Sequence, residues 1–175
     1  MNEIKKDNLK IRLGESKTKK EGWINLDILN TPEVDLVCDL NKRIPLDDNS
    51  VIKVKANHIL EHLDDTTKIM EELWRVCKPN AKILIKVPHY ASINAHKDPT
   101  HKSFFTEHTF EYFLPKDKKI LLNLPNYLSK AEFDIEYIGY IWSSKLIRFL
   151  PFKSFLRKHF WNIARTIIIQ LRVRK

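Results

Sequence analysis

The sequence predicts an α/β fold built on a mostly parallel sheet. Short apolar segments typical of strands alternate along the chain with helical or crossover-length segments. The chain has 175 residues, 43% of them hydrophobic and 30% charged, which suits one domain with a substantial core. We therefore expect residues 1–175 to form a single domain, with helices on both faces of the sheet and an antiparallel strand at the C-terminal end.

The first part of the chain contains four predicted strands, each an apolar or alternating run bounded by turn residues. They are expected at 10–13, 23–28, 34–40 and 51–56. Ligands of such sheets bind outside the carboxyl ends of the strands. This rule selects a set of candidate site residues from the strand ends alone: Gly14, Asp27, Asp39, His58 and, after a later strand, His89.

The second part begins with a predicted helix at 64–77, where apolar residues recur every three or four positions and Asp64 or Asp65 can cap the start. A strand is expected at 81–87. Helices are predicted at 106–113 and 126–131. Two further strands are expected at 134–142 and 167–173, and the last should run antiparallel beside its predecessor.

The charge of the chain is concentrated at one end. The formal net charge is +9, from 31 Lys and Arg against 22 Asp and Glu. Residues 137–175 carry nine basic side chains and no acidic one, so this stretch contains the whole excess. Such an uneven distribution favours an anionic partner near the C-terminal part of the chain.

Several features favour a cytoplasmic location. Cys38 and Cys77 lie inside apolar runs, which is typical of free buried thiols in a reducing compartment. No apolar run approaches the roughly 20 residues of a membrane span, and the N-terminal residues lack a signal-peptide core. The expected location is the cytoplasm, with peripheral attachment at the inner membrane surface through the basic end.

Three motifs follow one another in the predicted sheet. They are L-G-E-S-K at 13–17 with L-D at 26–27, then D-L-N-K-R-I-P-L-D-D-N-S-V at 39–51 with H-I-L-E-H-L at 58–63, and E-L-W-R-V-C-K-P at 72–79. In this order they resemble the class I S-adenosylmethionine-dependent methyltransferases, most closely the type 11 and ubiquinone/menaquinone-biosynthesis branch. The resemblance covers about residues 9–142. It implies a Rossmann-like sheet, S-adenosylmethionine as cofactor, and methyl transfer to an acceptor.

The resemblance also implies roles for individual residues. The turn from Gly14 to Ser16 would lie against the methionine end of the cofactor, and Asp27 would accept hydrogen bonds from the ribose hydroxyls. Ser16 stands where the family usually has glycine. This departure keeps open a second interpretation, a non-catalytic binding module with the methyltransferase fold.

The remaining cofactor residues implied by the resemblance follow the third and fourth strands. Asp39 would accept from the adenine amino group, with Leu40 against the ring. His58 and Ile59 would line the pocket of the methyl donor. The neighbouring Glu61-His62 pair invites a catalytic interpretation, although a structural role in the turn after the strand is at least as well supported.

The histidine loop, residues 87–106, follows the predicted fifth strand on the ligand side of the sheet. In the interpretation that we prefer, it contacts the acceptor, and His101, His89 or Asp98 takes a proton from it. A second interpretation is a metal site built from H-x-D-x-x-H at 96–101. A third is a purely structural loop. We assign no metal site from the sequence.

The basic segment, residues 145–165, interleaves five aromatic residues with Lys and Arg. A basic, aromatic-rich amphipathic stretch is typical of a helix at an anionic membrane surface. The same composition can attract nucleic acid by counterion release and stacking. The aromatic rings can also pack on the sheet while the cations stay in water.

Together these observations predict a methyltransferase whose acceptor is a small molecule or a lipid-linked or glycan precursor. The alternative is a non-catalytic methyltransferase-fold module that binds a membrane surface or RNA. In either case the chemistry expected of the fold is positional, because an in-line methyl transfer from a sulfonium needs orientation more than a fixed catalytic triad.

Overall fold

The computed structural model describes residues 7–125 and 129–175, with the side chain of Arg148 left aside. Seven strands form one sheet in the order β3-β2-β1-β4-β5-β7-β6, and β7 runs antiparallel to both neighbours while the pairs from β3 to β5 are parallel. The strands are β1 Leu9–Leu13, β2 Ile24–Asp27, β3 Leu36–Val37, β4 Val51–Asn57, β5 Cys77–Pro88, β6 Glu132–Trp142 and β7 Ala164–Arg174. The predicted fold class, a mostly parallel sheet with a C-terminal antiparallel strand, is confirmed.

Among the described residues, four α-helices accompany the sheet: α1 Thr66–Val76, α2 Ile93–His96, α3 Lys116–Leu121 and α4 Lys153–His159. Short 3-10 turns occupy Leu60–His62, Thr109–Phe113 and Leu146–Phe149. The predicted helix at 64–77 is confirmed as α1. Asp65 is its N-cap, with a carboxylate that accepts from the amides of Thr67 and Lys68 at 2.8 and 3.1 Å.

Other element boundaries differ from the predictions for local reasons. The helix expected at 106–113 is a 3-10 turn over its second half. Of the helix expected at 126–131, residues 126–128 lie outside the described part of the chain. Residues 129–131 are not helical, because the amides of Lys130 and Ala131 bond to the side chains of Glu71 and Ser129. The strand expected at 81–87 begins earlier, at Cys77, and passes Asn80 in a left-handed conformation.

The connections between the parallel strands lie on both faces of the sheet. The face of each connection depends on the direction in which the chain moves across the sheet. Connections between parallel strands are right-handed, so a chain that reverses its direction across the sheet also changes face. From β1 through β2 to β3 the chain moves one way, and from β3 through β4 to β5 it moves the other. The first two connections, residues 14–23 and 28–35, contain no helix. The later two contain the turn 38–50 and α1.

The covered face is the one on which α1 packs, and it holds the core. Ile69, Met70, Leu73 and Val76 of α1 are buried in one cluster with the apolar residues of the central strands. Those strand residues are, on β1, β4 and β5, Leu9, Ile11, Leu13, Val54, Ala56, Ile83, Ile85 and Val87.

The open face carries charged side chains at its centre. Lys10, Lys53 and Lys82 occupy adjacent positions on β1, β4 and β5, and all three are exposed. Two residues after Lys53 on β4, Lys55 lies over the ring of Trp23, with its Nζ 4.9 Å from the ring centroid. Within the described residues, no helix covers this part of the sheet, because the connections on this side are too short to form one.

Candidate functional site

A pocket lies where the carboxyl ends of β1, β2 and β4 meet. Its volume is about 170 Å³. Five of the residues predicted from the sequence line it: Gly14, Asp27, Asp39, Leu40 and Ile59. Since these residues come from four separate segments, the fold brings together positions that are up to 45 residues apart in the sequence. This arrangement is the candidate cofactor site.

Gly14 closes the turn after β1 in a way that only glycine allows. Its φ is +65°, and its amide donates to the Leu26 carbonyl at 2.8 Å. A Cβ at this position would lie 2.7 Å from the side chain of Ile59, well inside van der Waals contact. The glycine therefore permits both the left-handed turn and the close approach of the segment after β4.

Asp27 and Asp39 place two carboxylates at the pocket. Asp27 is almost buried, and its Oδ1 accepts from the Leu29 amide at 2.9 Å. Asp39 Oδ1 accepts from the Asn41 amide, also at 2.9 Å. The bond from the backbone of its own turn fixes the direction of each carboxylate. Oδ2 of Asp39 also lies 3.7 Å from Nζ of the exposed Lys42. Both carboxylates keep lone pairs that can accept from a ligand.

Cys38 lines the same pocket, and the charges of both carboxylates affect the pKa of its thiol. Burial, and to a smaller extent the negative charges of Asp39 and Asp27, raise the pKa of its thiol to about 11. Since a thiol with such a pKa stays neutral, Cys38 adds no charge and no nucleophile to the pocket. Both cysteines are free, as predicted, and Cys77 is buried.

Two of the predicted cofactor residues lie outside the pocket lining. The Ser16 carbonyl accepts from the Thr31 hydroxyl at 3.0 Å, which turns the residue toward the β2–β3 connection. His58 has a φ of 51°, and its Nδ1 lies 3.1 Å from Glu61 Oε1. Their predicted roles beside the methionine end and the methyl donor stay predictions.

The lining also contains residues to which the sequence analysis gave no role in cofactor binding. They are Ile28, Cys38, Asn41, His62 and Leu63. Each of them is within four positions of a predicted residue, so proximity in the sequence was the available signal. Ile28 is 66% exposed, although it is a large apolar residue in the lining of the pocket. An apolar ligand surface would cover it favourably.

The histidine loop places His89 in the interior. The ring is 1% exposed, and Nδ1 accepts from the Ala91 amide at 3.2 Å. Nε2 makes no hydrogen bond and lies 4.0 Å from Glu107 Oε2. Burial lowers the pKa of His89, against the opposing effect of Glu107, so the ring stays neutral.

The other predicted proton acceptors lie nearer the surface. Nδ1 of His101 lies 2.9 Å from the Ala95 carbonyl, so it carries the proton and leaves the Nε2 lone pair free. Asp98 accepts from both the amide and the hydroxyl of Thr100, and these bonds lower the pKa of its carboxyl group. Asp98 therefore stays ionised and is engaged with Thr100.

The H-x-D-x-x-H spacing does not produce a metal cluster. Nε2 of His96 lies 2.8 Å from the Tyr90 carbonyl, and the ring stacks on Phe104. Asp98 is engaged with Thr100, as described above. In the described part of the chain the loop thus contributes one histidine, His101, to a group of possible metal ligands, and the other members come from a different segment.

The basic segment exposes its aromatic rings. Phe149 and Phe152 are 82% and 80% exposed, and the other three aromatic residues are more than half exposed, namely Phe155, Phe160 and Trp161. The interpretation in which these rings pack into the core is wrong. In the described part of the chain no helix is long and apolar enough to cross a membrane.

The basic segment is attached to the histidine loop. The Asn162 amide donates to the Ala91 carbonyl at 2.6 Å, and Asn162 Oδ1 accepts from the Ile93 amide. The rings of Trp161 and His96 lie 5.3 Å apart. A buried ion pair between Arg157 and Glu107, which the sequence did not indicate, holds α4 against the end of the loop. The exposed aromatic surface thus continues into the loop.

Comparison with known proteins adds to this picture. Residues 11–85 match a family model described as a methyltransferase domain. No curated protein matches the chain. Among solved structures, an S-adenosylmethionine-dependent methyltransferase of Archaeoglobus fulgidus has a TM-score of 0.63 at 18% identity, over 96% of this chain and 87% of that chain.

Two further structures are similar. The YcgJ protein of Bacillus subtilis has a TM-score of 0.59 at 13% identity, over 99% of this chain and 94% of that chain. The [4+2]-cyclase SpnF has a TM-score of 0.57 at 12% identity, over 96% of this chain and 76% of that chain. The last name shows that a protein of this fold can be described by a reaction other than methyl transfer. The resemblance found in the sequence is confirmed for the matched domain and for the fold: residues 11–85 match a methyltransferase domain, and the chain shares its fold with a solved S-adenosylmethionine-dependent methyltransferase.

Proposed function

We propose that the chain is an S-adenosylmethionine-dependent methyltransferase that acts on a lipid-linked or glycan precursor at an anionic membrane surface. The observation that carries the proposal is the pocket itself. Asp27, Asp39 and Leu40 stand beside Gly14 at the edge of a sheet whose strand order is that of the methyltransferase fold. The match of residues 11–85 to a methyltransferase domain supports the same conclusion.

The hydrogen-bond acceptors and the apolar side chain of the pocket suit the implied cofactor. Asp27 can accept hydrogen bonds from two vicinal hydroxyls, and Asp39 can accept from an amino group. Leu40 is an apolar side chain next to Asp39 at the pocket, suited to the face of an aromatic base. Two carboxylates without a cation in the lining also favour a positively charged ligand. S-adenosylmethionine, when bound, supplies an electrophilic methyl group on a sulfonium.

The protein's part in the reaction is to orient the acceptor and hold its proton. Orientation in line with the leaving group accounts for most of the rate in such a displacement. His101 is the proposed base, because its Nε2 lone pair is free and the residue is partly exposed. His89 is buried, and Asp98 is hydrogen-bonded to Thr100. Neither would therefore take the proton of the acceptor directly; both would keep the histidine loop in position.

The acceptor is assigned from the neighbourhood of the histidine loop. The exposed rings of the basic segment and those of the loop form one surface, and the segment carries cations without a single acidic residue. Such a surface favours the boundary of an anionic bilayer. An acceptor anchored in that bilayer would reach the loop without leaving the membrane, which favours a lipid-linked precursor on the cytoplasmic side.

Calorimetric titration with S-adenosylhomocysteine tests the cofactor site. We expect saturable heat for the wild-type chain and a loss of at least tenfold in affinity for Asp27→Asn, because a charge-assisted bond to the ribose is removed. Asp117→Asn, a change on exposed α3, is the matched control and should leave binding unchanged. Absence of heat at millimolar ligand would overturn the methyltransferase proposal in favour of a non-catalytic module.

Flotation with vesicles tests the membrane surface. The chain should float with vesicles that contain phosphatidylglycerol and remain behind with neutral phosphatidylcholine. The double change Phe149→Ser and Phe152→Ser should abolish flotation, whereas Leu121→Ser, an equally exposed apolar residue on α3, should not. Unchanged flotation of the double variant would refute the role of the basic segment. So would salt-sensitive binding of RNA in place of vesicles.

A further inference from the structure

A group of three potential metal ligands lies beside the cofactor pocket. It consists of Glu61 and His62, in the 3-10 turn after β4, and His101 from the histidine loop. One ligand atom from each residue lies within 4.8 Å of the others. His62 also lines the pocket that contains Asp27 and Asp39. The group therefore joins the cofactor pocket to the histidine loop.

Glu61 has an unsatisfied oxygen in the interior. The residue is 1% exposed, and its Oε2 has no hydrogen-bond partner. Its Oε1 lies 3.1 Å from His58 Nδ1, and its main-chain carbonyl accepts from the amide of Lys102 at 2.7 Å. The side chain and backbone are thus held in place while one carboxylate oxygen stays unpaired. Such burial is costly unless a ligand satisfies the oxygen.

The two histidines are held with their Nε2 lone pairs available. Nδ1 of His101 donates to the Ala95 carbonyl at 2.9 Å. Nδ1 of His62 lies 2.9 Å from the Thr100 hydroxyl, and that hydroxyl donates to Asp98 Oδ1 at 2.7 Å. Since Thr100 uses its proton on Asp98, it accepts from His62. Outer hydrogen bonds of this kind fix the tautomer of histidines that bind metal ions.

We propose that Glu61, His62 and His101 form a binding site for a divalent transition-metal ion, with Zn²⁺ as a suitable probe. Two imidazoles and one carboxylate are a ligand set that such ions prefer, and one that leaves coordination positions open. Ligand atoms about 2.1 Å from a tetrahedral ion lie about 3.4 Å apart. The separations, at most 4.8 Å, must therefore shorten by up to about 1.4 Å, which side-chain rotation can supply.

The position of the site indicates what the ion would do. A hydroxyl group of the acceptor that took an open coordination position would release its proton to water more readily, because the ion stabilises the resulting oxyanion. The oxygen would then be the nucleophile, and His101 would act as a ligand in place of a base. This consequence rests on the proposed function, whereas the metal site itself does not.

Titration of the chelator-treated chain with Zn²⁺ alone, with no adenosyl ligand present, tests the proposal. We expect one saturable equivalent by calorimetry and a rise in the unfolding temperature with metal. Glu61→Gln and His62→Ala should each weaken binding by at least tenfold. His108→Gln, a change of an exposed histidine outside the group, should have no effect and controls for adventitious binding.

Two outcomes would overturn the metal site. One is the absence of a saturable equivalent for the wild-type chain. The other is an affinity that is the same in folded Glu61→Gln and His62→Ala as in the wild type. Because Glu61 is buried, circular dichroism must first show that its variant folds, and the more accessible His62 provides an independent variant. The titration with S-adenosylhomocysteine is separate, so failure of either proposal is recognised without the other.

Discussion

The two faces of the sheet differ in what covers them, although the same strands form both. On the covered face, α1 and the turn before β4 bury the apolar residues of β1, β4 and β5. On the open face, the centre of the sheet presents lysines to water. The difference comes from the connections. Right-handed crossovers send the first two connections to one side, and those connections are too short to form helices.

The largest difference in the free energy of unfolding is expected between two leucine-to-alanine changes, one on each face of the sheet. Leu73 of α1 is fully buried, so Leu73→Ala should lower the free energy of unfolding by about 2–5 kcal/mol through lost burial and a cavity. Leu84 of β5 points to the open face and is partly exposed, so Leu84→Ala should cost less than about 1 kcal/mol. Urea denaturation followed by tryptophan fluorescence measures both. Equal losses would mean that the open face is covered in solution.

The next contrast concerns two glycines with positive φ. Gly14→Ala should lower the free energy of unfolding by about 2–4 kcal/mol, because the Cβ adds both left-handed strain and overlap with Ile59. Gly22→Ala meets open space on the other side of the same connection, so only the strain of about 1–2 kcal/mol is expected. Similar values for the two variants would show that the segment after β4 can move away from Gly14.

The cap of α1 should have an intermediate effect on the covered face. Asp65→Ala removes the acceptor of two backbone amides and should cost about 1 kcal/mol in the free energy of unfolding. The neighbouring Asp64 pairs with Lys102 on the surface. Asp64→Ala should therefore change the stability by only a few tenths of a kcal/mol. A reversed order in denaturation experiments would refute the assignment of Asp65 as the cap.

The buried ring of His89 should make stability fall in mild acid. Its pKa is lowered in the folded chain, first by burial, so below about pH 6.5 the unfolded chain binds the proton more readily. Stability is therefore complete above pH 6.5 and decreases as the pH falls toward the lowered pKa. We expect this loss of stability to be smaller than the loss caused by Asp65→Ala, because the charge of Glu107 raises the pKa of His89 and so opposes the effect of burial. Thermal melts of the wild type and His89→Gln between pH 7 and 5 measure it, and the variant should have the flatter profile.

The smallest effect is expected on the open face and should be favourable. Lys53 stands between Lys10 and Lys82 on adjacent strands, and like charges directly opposite one another destabilise a sheet. Lys53→Glu should raise the free energy of unfolding by about 0.2–0.5 kcal/mol at low salt, with the gain reduced at 1 M salt. Lys53→Gln is the neutral control. Lys82 already pairs with Glu136, at 3.2 Å. A loss of stability in Lys53→Glu would therefore show that Lys53 too has an anionic partner in solution.

The sequence was sufficient for the covered part of the molecule. Period-2 and period-3.6 patterns identified β4, β5, β7 and α1, and the rule on strand ends identified Gly14, Asp27 and Asp39 before the fold was known. It was insufficient where local pattern and tertiary contact disagree. Polar α3 has no apolar stripe, and the ion pair between Arg157 and Glu107 joins residues 50 positions apart. The group formed by Glu61, His62 and His101 depends on the path of a loop, which no spacing in the sequence reveals.

The place of β7 in the sheet has a consequence for how the chain is made. β7 lies between β5 and β6, yet residues 164–174 are the last of the three segments to leave the ribosome. Until they emerge, β5 and β6 have no strand between them, and each presents an unpaired edge to other chains. During synthesis the nascent protein should therefore depend on chaperones that shield such edges, and messages truncated before the codons of β7 should yield aggregates in place of a smaller folded domain.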